Sequence, residues 1–378
     1  MARVRFGAVV VRANTKEDRF NTDKEFYVGG EHMDSGEFLV NKRGIIEGSN
    51  IGPMFYFGFK AGQVLLASRS PDLKKAGMVT FDGLCSEKTF VIQSKDEEVL
   101  LQSFLPAIVR SEDFWKYAND NQSGSVNHFI NWSTFASYEF DLPSIEEQKK
   151  ASDLLWAMER TKNAYRQLQI KTDELVKSQF IEMSALWQRD FKLKPLTCFI
   201  NNITYGFTNP MPDTEEGPWK VTAKDIVDGK IDYATARKTS QEAYDALTDK
   251  SKPRIGDVLL TKDGTLGRVA LVEDEGICIN QSVAAIRCND NIIPQFLASI
   301  LQMPEYQEKM LADAGGVTVR HLYITRVDKM LMLIPDMSSQ EEWIAFVNQS
   351  DKSKFELRKA IDTIISAQRA LIKETLNQ

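Results

Sequence analysis

Four short stretches carry residue types that can do chemistry. Asn209-Pro210-Met211-Pro212 approaches the Asn-Pro-Pro-aromatic pattern with which amino-methyltransferases hydrogen-bond and stack an extruded base. Its second proline and its aromatic are missing, and no G-x-G loop after a strand offers a place for S-adenosylmethionine. Pro212-Asp213 followed by Asp228-Gly229-Lys230 fits the loose Pro-Asp…Asp-x-Lys pattern whose carboxylates hold Mg²⁺ in nucleases. That pattern is permissive, and Asp228-Gly229 reads better as a turn between β-type segments. Gly264-Thr265-Leu266-Gly267 lacks the Gly-Lys-Ser/Thr of a phosphate loop. His32, His128 and His321 lie far apart, which argues against a histidine metal or triad site, and His128 and His321 read as ordinary structural histidines. Cys85, Cys198, Cys278 and Cys288 form no C-x-x-C pair and read as reduced, mostly buried thiols, not a disulfide or zinc framework. No complete catalytic or metal set emerges, so the chain is read for binding.

The cations that stand out follow a repeated strand. Gly62-Gln63-Val64-Leu65-Leu66 leads to Arg69, Ser70, Lys74 and Lys75, and Gly256-Asp257-Val258-Leu259-Leu260 leads to Lys262, Thr265 and Arg268. Equivalent placement after the same strand sets these apart from other surface charges. Lys42, Arg43, Lys220, Lys224 and Arg320 form a second tier, and residues 119–128 and 315–321 are loops near enough in the repeat to join them. Arginine reads guanine O6 and N7 with two hydrogen bonds, whereas lysine grips phosphate. The overall charge of −6 opposes a simple nucleic-acid binder. No segment is basic, so a DNA face must come from local clustering or from a partner subunit.

The elements that position these loops repeat. Leu142-Pro143-Ser144-Ile145-Glu146-Glu147-Gln148 is matched by Ile334-Pro335-Asp336-Met337-Ser338-Ser339-Gln340, with Pro and Gln in register. Ser144 followed by Glu147 is a capping box, the start signal of a helix. No Gly or Pro interrupts residues 144–190, and a helix of roughly 40–45 residues would span about 60–68 Å, about two turns of duplex DNA. Its rhythm of apolar or tolerant residues runs through Ala151, Leu154, Met158, Thr161, Tyr165, Leu168, Thr172 and Leu175; that of the C-terminal helix runs through Leu357, Ile361, Ile364, Gln368 and Leu371. These two seams are expected to pack on each other as antiparallel helices.

Before each helix lies a mixed α/β segment. In the first, strands are read near residues 3–12, 25–28, 55–59, 62–69, 77–81 and 89–92, Asp82-Gly83 is read as a hairpin turn, and residues 99–117 as one helix. The second repeats the plan: Gly267-Arg268-Val269-Ala270-Leu271 follows its Val-Leu-Leu strand, Phe296-Leu297 echoes Phe104-Leu105, and Gly315-Gly316 echoes Gly124. The chain is thus a twofold duplication with a period of about 192 residues. The expected fold is α/β (α+β). Domain one covers residues 1–141, helix one 142–190, domain two 191–333 and helix two 334–378.

In this order of elements the sequence resembles the specificity subunit of a type I restriction-modification system. The resemblance covers essentially the whole chain. It rests on the two Pro-x-x-x-x-Gln helix starts, on Tyr27-Val28-Gly29-x-Glu31-His32-x-Asp34-Ser35-Gly36, and on Thr204-Tyr205-Gly206-Phe207-Thr208 with Lys224-Asp225-Ile226-Val227-Asp228-Gly229-Lys230-Ile231. Ser338-Ser339 departs from Glu146-Glu147 at the second helix start. The resemblance implies a non-catalytic chain in which each recognition domain reads one half of a bipartite, asymmetric double-stranded DNA site. The helices would set the unread spacer and dock methylation subunits. S-adenosylmethionine, ATP and Mg²⁺ would belong to the methylation and restriction subunits, with no cofactor in this chain. A self-contained methyltransferase or nuclease is one alternative. A coiled-coil scaffold that does not read DNA is another, which the acidic charge permits. With no apolar run long enough to span a bilayer and no signal-type N-terminus, the expected location is the cytoplasm.

Overall fold

The structure is a computed structural model that describes residues 2–13, 15–312, 314–315 and 320–376. Gly316, half of the glycine pair that echoes Gly124, lies outside these residues. The chain divides into two compact units, Met1–Gln167 with Leu357–Gln378, and Leu168–Glu356.

In the first unit a four-stranded antiparallel sheet runs in the order Val10–Ala13, Thr89–Ser94, Val64–Ala67, Ala76–Met78. Both of its faces are buried, which is why Val64-Leu65-Leu66 is apolar without alternation. Val64, Leu66 and Ile92 pack with Phe104, Leu105 and Ile108. Leu65 and Val91 face the other way, against Val28, Phe57 and Phe59. Those last residues belong to a second sheet, in which Phe26–Val28 and Gly83–Ser86 run parallel. Asp82-Gly83 therefore turns no hairpin: Ala76–Met78 and Gly83–Ser86 lie in different sheets. The helix read over residues 99–117 is broken into Leu105–Ile108 and Glu112–Asp120, because Ser111 ends one turn and caps the next, accepting from Phe114 N at 3.3 Å.

The second unit repeats this arrangement. Its antiparallel sheet is Ile200–Tyr205, Val283–Cys288, Val258–Thr261, Val269–Leu271. Its second sheet again contains one parallel pair, Thr214–Val221 with Ile277–Ile279. Val258 and Leu260 pack on Phe296 and Leu297, and Leu259 packs on Val221 and Ile279.

Two long helices complete the chain, Ile145–Asp190 of 46 residues and Met337–Thr375 of 39. The first starts on the full capping box: Ser144 Oγ accepts from Glu147 N at 3.3 Å and Glu147 Oε2 accepts from Ser144 N at 2.8 Å. The second starts on Asp336, whose carboxylate accepts from Ser339 N at 2.9 Å. One cap bond thus survives the change from Glu147 to Ser339. Substituting Ser144→Ala or Asp336→Ala is expected to cost about 1 kcal/mol each, read as a shift in the urea midpoint at constant slope. A change below about 0.3 kcal/mol would mean the caps are idle.

Beyond Ala151, the expected seam of the first long helix is off by one residue, whereas Ile361 and Gln368 of the second are buried as expected. Leu154, Leu168 and Leu175 are 48%, 48% and 54% exposed, and Met158 is half-buried. The buried stripe is Ala151, Leu155, Glu159 and Lys162 in the first unit, and Val176, Phe180, Met183 and Trp187 in the second. The apolar rhythm misplaced it because the true stripe includes charged residues. In the C-terminal helix Ile361 is buried, Leu357 and Ile364 are half-buried, and Leu371 packs on the first core beside Ile372 and Leu376. Within the second unit the two helical segments run antiparallel: Lys354 pairs with Asp173 at 2.9 Å, and Trp343 meets Phe180 with ring centroids 5.4 Å apart.

Candidate nucleic-acid interface

The loop that follows the Val-Leu-Leu strand is built the same way in both units. In the first, Ser68 N donates to Lys88 O at 2.8 Å, Ile130 N donates to Ser68 O at 2.8 Å, and Arg69 forms a bridge with Phe129. In the second, Lys262 N donates to Ser282 O at 2.9 Å, Leu322 N donates to Lys262 O at 2.9 Å, and Asp263 bridges His321. The backbone frame is shared and the side chains differ. Arg69 lays its guanidinium 5.0 Å from the Phe129 ring centre, whereas Asp263 holds His321 Nδ1 at 2.5 Å. Burial pushes the Asp263 carboxyl up, but Lys262 and His321 outweigh it and hold the group below the usual range. In the first unit the loop is also strained, with Ser70 and Lys74 both at φ 48°.

Most of the candidate cations already have partners. Lys74 meets Glu112, Lys75 donates to Gly30 O at 2.6 Å, and Lys42 pairs with Asp34 at 2.7 Å. Arg43 stacks over Phe26, 3.9 Å from its ring centre. Arg268 is turned inward, donating to Ile226 O at 3.0 Å, so its guanidinium supports the fold. Thr265 accepts from Thr261 through its carbonyl, and Arg320 donates to Leu311 O. Lys262 lies against Asp263 at 2.8 Å and over Tyr205 at 5.5 Å.

Lys220 and Lys224 come together in a cleft of about 520 Å³ in the second unit. Its walls come from the loop 207–213, the strand end at Lys220, the turn at Thr222-Ala223-Lys224-Asp225, Arg237, and the turn at Asn280-Gln281. Gly206 makes this geometry possible: a Cβ there would stand 1.7 Å from Ile279 O, so only glycine lets Phe207 pair alongside Asn280. Asp213, on the same wall, is clasped by Lys220 and by Arg237 Nη1 at 2.6 Å. Lys220 first, then Arg237, hold its carboxyl below the usual range. Asp213 is thus an ion-pair member here, and Asp228, at φ 50°, occupies a turn. Among the described residues no hydrogen bond or ion pair engages the Lys224 ammonium.

The turn behind Lys224 explains two sequence motifs at once. In the first unit Gly29 N donates to His32 Nδ1 at 2.9 Å; in the second Thr222 N donates to Asp225 Oδ2 at 2.9 Å. His32 and Asp225 are therefore one structural position, a side-chain cap on a single helical turn. Glu31 of the first unit falls where Lys224 stands in the second. The sequence reading missed Asn280, Gln281 and Arg237. The signal was present in the stretch just before the last core strand of each unit, Ser86-Glu87-Lys88 against Asn280-Gln281-Ser282. Of the thiols, Cys85 and Cys278 are buried, and burial pushes them up to about 12 and about 11; Cys198 is exposed. No helix among the described residues is long and apolar enough to cross a membrane.

Comparison with known proteins adds to this geometry. Residues 211–366 match the family described as Type I restriction modification DNA specificity domain. Over 149 residues the chain is 31% identical to the specificity subunit of the type I restriction enzyme EcoBI of Escherichia coli; the match spans 39% of this chain and 31% of that relative. The S subunit of a type I restriction-modification system from M. genitalium shares the fold with a TM-score of 0.58 at 12% identity, over 99% of this chain and 96% of that one. A chain solved in work on complex assembly and conformational transition of the type I R-M system gives 0.57 at 18% identity, over 99% and 97%.

Proposed function

We propose, from the match of residues 211–366 to the type I restriction modification DNA specificity domain, that the chain is the sequence-reading subunit of a type I restriction-modification complex. Each of its two similar domains reads one half of a bipartite, asymmetric double-stranded DNA site. The long helices set the unread spacer and carry the methylation subunits. Leu154, Leu168 and Leu175, half exposed along the first helix, offer those subunits apolar surface. S-adenosylmethionine, ATP and Mg²⁺ belong to the methylation and restriction subunits, and this chain supplies the address. The observation that carries the reading is the doubled loop. One backbone frame, braced by the same bonds, presents Arg69 and Phe129 in one domain and Asp263 and His321 in the other. Two copies of one scaffold with different side chains suit a target with two different halves.

The test is to co-express the chain with a methylation subunit and map adenine methylation across a genome by long-read sequencing. The expected result is one bipartite motif with a fixed spacer. Exchanging residues 191–333 for another recognition domain then changes one half of the motif and leaves the other. A stable complex that methylates no defined motif would refute DNA reading and favour a scaffold.

A further inference from the structure

The cleft in the second unit contains a donor set in advance. Asn280 Oδ1 accepts from Ser282 N at 3.1 Å and from Ser282 Oγ at 2.5 Å. Because both partners are donors, the amide oxygen faces Ser282 and the NH₂ faces away from it. Ser282 Oγ is itself fixed, accepting from Ala223 N at 3.1 Å, one residue before Lys224. The backbone is pinned as well: Asn280 N donates to Val221 O at 3.2 Å, and Asn280 pairs with Phe207 across the cleft wall. A short chain of bonds thus links the position of Lys224 to the orientation of Asn280. Both line the cleft, beside Gln281.

The first domain holds different chemistry on the same frame. Ser86 occupies the position of Asn280 and keeps the equivalent bond, its Oγ accepting from Lys88 N at 3.3 Å. Glu31 and Glu87 stand in place of Lys224 and Gln281. One domain presents donors and a cation at this place; the other presents a hydroxyl and two carboxylates. Asparagine amides donate to acceptors on base edges, while carboxylates accept from cytosine N4.

We propose that Asn280 is a specificity-determining residue of the second domain, donating its amide N–H to a major-groove acceptor on one base, with Lys224 gripping a neighbouring phosphate. The assignment rests on the reading of the chain as a DNA-specificity subunit and deepens it. Gln281 lies next to the donor and extends the same edge. Lys220 and Arg237, tied up by Asp213, shape the wall.

The experiment uses the full chain in complex with its methylation subunit and compares the parent with Asn280→Asp and Lys224→Gln. Aspartate keeps both bonds from Ser282 and replaces the outward donor by an acceptor, so folding is preserved while the chemistry is inverted. Thermal melting checks this, and Asn280→Ser, which installs the residue of the first domain, serves as the second variant. For Asn280→Asp the methylated motif is expected to lose discrimination at one base of one half-site by about 5- to 150-fold, with the other half-site unchanged. Lys224→Gln is expected to leave the motif intact, weaken DNA binding, and reduce the slope of log affinity against log salt by about 0.9. An Asn280→Asp complex that methylates the parent motif with undiminished selectivity at every position overturns the assignment and leaves the broader reading standing. A parent complex without any bipartite motif overturns both.

Discussion

Replacing Glu37 by alanine will destabilise the first unit by about 3–5 kcal/mol. Glu37 reaches the first long helix and makes three charged hydrogen bonds there, with Lys162 at 2.8 Å and with Arg166 at 2.8 and 2.7 Å. Lys162 is 1% exposed and also holds the fully buried Glu159 at 2.7 Å. Gln368 of the C-terminal helix donates to that same Glu159 at 3.2 Å. Removing Glu37 leaves the buried Lys162 with Glu159 alone and opens the bidentate grip on Arg166, itself a third exposed. The methyl group of alanine replaces none of these charged bonds, and the buried ammonium keeps one carboxylate where it had two. The readout is urea unfolding at pH 7, with Glu37→Gln as the milder variant.

The same group makes a pH prediction. Burial pushes the Glu37 carboxyl up, but Arg166 and Lys162 overcome it and hold the group at about 2. A folded value below the unfolded one means that ionised Glu37 stabilises the fold at pH above its unfolded value, near 4.5. That stability, about 3 kcal/mol, is lost as pH falls from about 4.5 towards 2. The stability gap between the parent and Glu37→Gln should therefore be constant from pH 7 to about 5 and shrink by more than half by pH 3. A constant gap across that range would show that Glu37 acts by shape and not by charge.

The second large effect concerns the glutamine of the repeated helix start. Gln148 and Gln340 are fully buried and make the same three bonds. Gln148 accepts from Leu101 N at 2.9 Å and donates to Val99 O at 3.0 Å and Pro143 O at 2.9 Å. Gln340 accepts from Ile293 N at 2.8 Å and donates to Asn291 O at 3.1 Å and Pro335 O at 2.9 Å. Each side chain ties the first turn of a long helix to the loop that leads into the preceding domain's helices. Gln148→Leu or Gln340→Leu keeps the volume but orphans one N–H and two carbonyls. A loss of about 2–4 kcal/mol is expected for either. A loss below about 1 kcal/mol would mean that the loop finds other partners.

The duplication was readable because punctuation survives when side chains change. Pro143, Pro335, Gln148 and Gln340 kept their register, and the Val-Leu-Leu strands, buried on both faces, stayed apolar in both copies. The helix seam was not readable by the same means. In the first long helix a 3-4 rhythm counts apolar residues, and here the buried stripe passes through Glu159 and Lys162, while Leu154, Leu168 and Leu175 turn outward. At the candidate interface, charge in the sequence does not tell which cations the fold already engages. Arg268 looked like a DNA contact because of its place in the repeat, but its guanidinium is committed to Ile226 O. Asn280 carries no charge, and its value comes from Ser282 fixing its amide, a relation that appears only once the turn is folded.

The division of the chain also fixes an order of assembly. The second unit is one uninterrupted stretch, Leu168–Glu356, whereas the first is closed by residues from both sides of it. Ala151 and Leu155 share a core with Ile372 and Leu376. During synthesis those partners emerge only after the whole second unit has been made, a delay of about 10–40 s at typical elongation rates. The domain translated first is thus the one finished last. Until residues 357–376 arrive, a nascent chain carries a completed second unit downstream of an open first one, with Leu155 and its neighbours waiting for their cover.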